Sequence, residues 1–110
     1  MKPSDLLTAT HPLLSDRVRL AIMASLAAAG EPIDFNGLLE SLELTKGNLA
    51  SHVRKLEDAG LLTVRKEFVG KKTRTTYRCT ARGQREVQNY LEQVESLLKS
   101  TLRPGRGRVR

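Results

Sequence analysis

Thr45, Lys46, Gly47, Asn48, Ser51 and His52 stand just ahead of Arg54 and Lys55, a run of hydrogen-bond donors and cations gathered around one glycine. Such side chains suit recognition better than bond-making. A Lys meets guanine acceptors, an Asn pairs with adenine, a Ser or a helix N-terminus holds a phosphate, and a Gly lets the backbone approach closely. A second basic group, Lys71, Lys72 and Arg74, follows Gly70. Gly70-Lys71-Lys72-Thr73 is similar to the end of a phosphate-binding P-loop. That motif, however, needs another Gly where Arg65 stands and a helix after the Thr.

Material for catalysis is thin. The only histidines are His11, beside Pro12, and His52, inside the donor run, so no Ser, His and acid set emerges and no enzyme is expected. Cys79 is the single cysteine, which excludes an internal disulfide and a thiolate-rich metal site within one chain. It alternates onto the Tyr77 side of its segment, where a small buried hydrophobe is the expected role rather than a redox sensor. Neither a metal nor a cofactor is expected.

The charge is unevenly distributed. Residues 1–44 carry three Lys or Arg against six Asp or Glu; residues 45–85 carry eleven against three, and residues 86–110 five against three. A surface that serves solubility alone intersperses its signs. A basic block behind an acidic segment points instead to a polyanion, with nucleic acid the first candidate. The longest apolar stretch, residues 21–29, is too short to span a bilayer, and Lys2 followed by Asp5 gives no secretory layout. A cytoplasmic protein without membrane partners is expected.

A chain of 110 residues fits one domain. Residues 1–14, with Pro3 and Pro12, read as an irregular or partly helical lead-in. From Ser15, an N-cap type, Val18, Ile22, Leu26 and Ala29 recur at helical spacing up to Gly30. Asp34 caps a short second helix with Phe35, Leu38, Leu39 and Leu42 on one face, and Thr45 caps a third that stops at Gly60. In that third helix, over residues 45–59, Leu49, Val53 and Leu56 share an arc. Gly47, Ser51, Arg54, Lys55 and Asp58 lie opposite, with Asn48 and His52 on the flanks. The period then changes to two: Leu62 and Val64 alternate, then Thr75, Tyr77 and Cys79, joined by a hairpin link containing Gly70.

After Thr80, Val87, Tyr90, Leu91, Val94, Leu97 and Leu98 keep a stripe along a long helix over residues 81–102. A core of this size offers that stripe too few partners, so a homodimer through it is expected. Arg103, Arg106, Arg108 and Arg110, spaced by Pro and Gly, read as a disordered basic tail over residues 103–110 that can add phosphate contacts.

The expected fold is therefore mainly α with a small β-hairpin: a winged helix-turn-helix domain over residues 15–102, ending in a long C-terminal helix. Its motifs in combination are L-x-x-x-N-L-x-x-H-V-x-K-L over residues 44–56, the corner Ala59-Gly60-Leu61, Gly70-Lys71 with Arg74-Thr75-Thr76-Tyr77, and Thr80-Ala81-Arg82-Gly83. Over residues 16–98 the chain resembles the small winged-helix transcriptional regulators related to the MarR and ArsR families. The resemblance implies a dimeric repressor or activator that binds double-stranded DNA, with the third helix in the major groove and the wing, residues 68–74, on the backbone or minor groove. It implies end helices at the dimer interface. The chain departs from metal-sensing members, having no cysteine pair on the third helix. A protein-interaction or RNA-binding winged helix is the alternative. The scarcity of aromatics disfavours RNA, and the basic third helix and wing disfavour a protein partner.

Overall fold

The computed structural model describes residues 11–102 of the chain. The expectations for the first ten residues and for the arginine tail lie outside it. Residues 11–15 make a turn in which the Ser15 N–H donates to the His11 carbonyl at 3.0 Å. Because that turn engages Ser15, the cap of the first helix, α1 (Arg17–Ala29), falls to Asp16 and not to the expected Ser15. The Asp16 carboxylate accepts the N–H groups of Val18 and Arg19 at 2.9 and 3.0 Å. At the other end Gly30, at φ 68°, stops the helix and donates to the Leu26 carbonyl.

A strand the periodicity did not predict comes next. β1 (Ile33–Asp34) is only two residues long and pairs antiparallel with a later strand, Ile33 opposite Tyr77. Asp34 then caps α2 (Phe35–Leu42), its carboxylate accepting the Gly37 N–H at 2.8 Å. The turn of the helix-turn-helix is tight. Glu43 takes a left-handed φ of 53° and the Leu44 N–H donates back to the Leu39 carbonyl, so α3 (Lys46–Asp58) starts at once behind its cap Thr45.

β2 (Leu62–Val69) and β3 (Lys72–Cys79) form the hairpin, in register from Leu62 opposite Cys79 to Val69 opposite Lys72. Only Gly70 and Lys71 lie outside the ladder, with Gly70 at φ 66°. That is a two-residue hairpin connection with glycine first, so Phe68, Val69, Lys72 and Thr73 are strand residues rather than parts of a longer loop. The sheet order is β1-β3-β2.

α4 (Ala81–Leu102) closes the molecule. The core gathers Ile22, Met23 and Leu26 of α1, Leu38 of α2, Leu49, Val53 and Leu56 of α3, and Leu61, Leu62, Tyr77 and Val87 around them. One corner ties α4 to the end of α3. The Thr80 hydroxyl donates to the Gly60 carbonyl at 2.8 Å and accepts the Gly83 N–H at 2.9 Å, while the Thr80 N–H donates to the Leu61 carbonyl. Gly83 packs so tightly there that a side chain would run into the Leu61 carbonyl and come within 2.9 Å of the Met23 methyl. Among the described residues, four helices and a three-stranded antiparallel sheet, with a hairpin wing and a long last helix, make a winged helix.

Candidate nucleic-acid interface

The third helix presents its two sides as its periodicity requires. Leu49, Val53 and Leu56 are buried, which turns Gly47, Asn48, Ser51, Arg54 and Lys55 outward, all exposed, with Lys46 exposed in the first turn. Thr45 is exposed too, but its hydroxyl is engaged as the cap, accepting the Asn48 N–H at 3.2 Å. The remaining N–H groups of that first turn and the positive end of the helix dipole face outward with Lys46, an arrangement that attracts anions.

His52 is held differently from the others. It is half-buried, and the Arg19 guanidinium of α1 lies 3.1 Å from its Nδ1. A guanidinium only donates, so Nδ1 is the acceptor and the ring proton of this contact sits on Nε2. Arg19 is fixed in turn by donating from Nε to the Leu13 carbonyl at 2.9 Å. Its backbone N–H is the chief reason that the Asp16 carboxyl sits below the usual carboxylate range. Arg19 thus belongs to this surface, although 33 positions separate it from His52 and nothing local in the sequence marks the pair.

The wing supplies the second group of cations. Lys71 and Lys72 are exposed, and among the described residues neither makes an ion pair, nor does Lys66. Arg74 is partly engaged: its Nε lies 3.5 Å from the Asp34 carboxylate, with half the side chain in solvent. The Asp34 that caps α2 therefore also steers a wing arginine. Between α3 and the hairpin runs an open groove lined by Phe35, Ala50, Arg54, Glu57, Lys66 and Tyr77. Burial pushes the Tyr77 phenol above its ordinary range, reinforced by the nearby Glu57 carboxylate.

Elsewhere the expected sites fall in place unequally. Cys79 is half-buried, burial raises its thiol, and Sγ donates to the Thr80 carbonyl at 3.4 Å, the setting of a packed rather than reactive cysteine. Along α4, Val87 is taken up by the chain's own core, and Tyr90 is half-buried with its ring edge-on to His11 at 6.3 Å. Leu91, Val94 and Leu98 remain exposed and Leu97 half-buried. Among the described residues no group of three or more His, Cys, Asp or Glu could hold a metal ion, and no helix is long and apolar enough to cross a membrane.

Known proteins repeat this architecture. The profile of the winged helix DNA-binding domain matches residues 18–98. An uncharacterized protein of Methanocaldococcus jannaschii is 35% identical over 83 residues, covering 76% of this chain and 89% of its own. The structure of a transcriptional regulator homologue from Pyrococcus horikoshii OT3 superposes with a TM-score of 0.82 at 29% identity, over 90% of this chain and 98% of its own. MarR has the same fold, with a TM-score of 0.70 at 18% identity, over 86% of this chain and 70% of MarR. A match over these 81 consecutive positions, the capped α3 and the basic hairpin included, makes the chain a member of the winged helix DNA-binding domain family.

Proposed function

We propose that this chain is a sequence-specific, double-stranded-DNA-binding transcriptional regulator that acts as a homodimer. α3 enters the major groove with Lys46, Asn48, Ser51 and His52 toward base edges, and the wing lays Lys71, Lys72 and Arg74 on the backbone or in the minor groove. The observation that carries the reading is the pairing of an exposed, capped helix start rich in donors with a hairpin whose tip lysines lack ion-pair partners among the described residues. No packing need explains why a hairpin tip should gather those cations. The likeness to a Pyrococcus transcriptional regulator homologue supports the regulatory role. The exposed Leu91, Val94 and Leu98 support self-association through α4, which as a 22-residue helix runs about 33 Å.

Selection of bound sites from random duplex DNA tests this reading, the expected product being a two-fold symmetric site. Alanine at a base-reading position of α3 should cost about 1–3 kcal/mol and relax preference at one base pair. Lys71→Ala and Lys72→Ala should each weaken all duplexes alike and lower the salt slope by roughly one unit. A folded chain that enriches no duplex, or binds structured RNA or a protein partner in preference, overturns the reading.

A further inference from the structure

We propose that the wing ends in an apolar wedge, Phe68 with Val69, which seats against base steps in the minor groove and bends the duplex held by α3. This rests on the DNA-binding reading above and adds a mode of contact to it. Phe68 is 79% exposed and Val69 58%, more than any other large hydrophobic residue described. Both belong to the regular ladder, Phe68 opposite Thr73 and Val69 opposite Lys72, immediately before the Gly70-Lys71 turn. Successive strand residues point to opposite faces, so the two side chains give the tip an apolar surface on either side.

A single exposed hydrophobe is ordinary; the setting of these two is not. The core does not reach them, since β1 pairs only with Tyr77 and Thr76. From Thr76 to the turn the ribbon runs on for about 13 Å, far enough to carry its end away from the body of the domain. Around that apolar end stand Lys66, Lys71, Lys72 and Arg74, which outnumber the one carboxylate there, Glu67 opposite Arg74. The matching surface is therefore anionic at its rim and apolar at its depth. Two rows of phosphate flanking a floor of base edges and stacked steps meet that description, and Phe is among the side chains that part such steps and kink a duplex. A second copy of this wing would set cations against cations.

The sequence contains no tryptophan, so Phe68→Trp places a unique indole, excited apart from Tyr77 and Tyr90, at the tip of the full-length chain. On a selected duplex, the indole emission of this variant should be quenched and its access to acrylamide lost. Heparin, a polyanion without base steps, should change neither. End-labelled duplex should shorten by energy transfer when the parent chain binds. Phe68→Ala should keep the salt slope, abolish the shortening and lose roughly 5- to 150-fold in affinity, the span of one base–aromatic stacking contact. An indole as accessible on duplex as in the free protein, or unchanged bending by Phe68→Ala, overturns the wedge while leaving DNA binding intact. A chain that binds no duplex overturns both. An indole whose emission shifts only on vesicles of phosphatidylserine and phosphatidylcholine overturns the wedge in favour of a membrane surface.

Discussion

The two halves of α4 carry one apolar stripe into different surroundings. In the first half Gly83 is pressed against Leu61, Val87 is 3% exposed, and Tyr90 packs beside His11. In the second half Leu91, Val94 and Leu98 are 43%, 39% and 54% exposed. Helical periodicity sets which side of a helix is apolar, not what covers it. A helix of about 33 Å outruns a core built by three shorter helices and a small sheet. The half beside the core is a structural strut, and the half beyond it is the surface proposed for a second copy.

The largest effect should come from Gly83→Ala. The Cβ would meet backbone at Leu61, which has no rotamer to retreat into, so the overpacking cost is expected to outweigh alanine's higher helix propensity. A net loss of about 1–3 kcal/mol, read as a lower urea midpoint, is expected. Unchanged stability would mean that the corner between α4 and β2 can open without cost. In the outer half, Leu91→Asp combined with Leu98→Asp should leave the unfolding of the isolated chain within about 0.5 kcal/mol of the parent, as surface changes do. Sedimentation should show this variant as a monomer and the parent as a dimer. A parent already monomeric at micromolar concentration counts against the dimer.

A smaller effect belongs to the inner half alone. His11 donates from Nε2 to Glu86 at 2.7 Å, while its Nδ1 accepts the N–H groups of Leu13 and Leu14; Arg82 approaches the other Glu86 oxygen at 2.6 Å. These bonds, the one from His11 foremost, hold the Glu86 carboxyl below its ordinary range. With the folded-state value lowered, the contribution is full above about pH 4.5 and is lost as pH falls through the lowered value. Glu86→Gln should therefore be less stable than the parent at neutral pH and converge with it in acid. Parallel acid curves would assign the dependence to other carboxylates.

Local chemistry was legible and long-range partnership was not. Asp34 and Thr45 cap their helices and Gly30 ends its own, as residue types with local hydrogen-bonding and backbone preferences foretell. The outward face of α3 followed from the burial of Leu49, Val53 and Leu56. β1 escaped because two residues after a proline carry no period; only their pairing with Tyr77 and Thr76 makes them a strand. Ser15 was displaced as cap by a backbone bond to His11, and the hairpin link around Gly70 is only two residues long because the ladder continues to Val69 and Lys72. Within the candidate site, the links from Arg19 to His52 and from Arg74 to Asp34 join residues far apart in the chain, which no spacing rule reaches. The exposure of Phe68 was equally silent in the sequence, since alternation marks it as apolar without saying that the core stops short of it.

Because β3 is the middle strand but meets β1 at only two positions, the outer part of the hairpin has a neighbour on one side alone. A two-stranded ribbon is marginal by itself in water, so its ladder opens locally at far lower free energy than the whole domain unfolds. The wing is in this sense a cantilever, rigid at Tyr77 and compliant toward Gly70. In the proposed complex its tip can adjust its approach to the duplex while the corner at Gly83 and the seam of α3 against α1 keep their shape. Compliance at the contact and stiffness at the anchor are thus separated along a single strand, within the eight residues of β3.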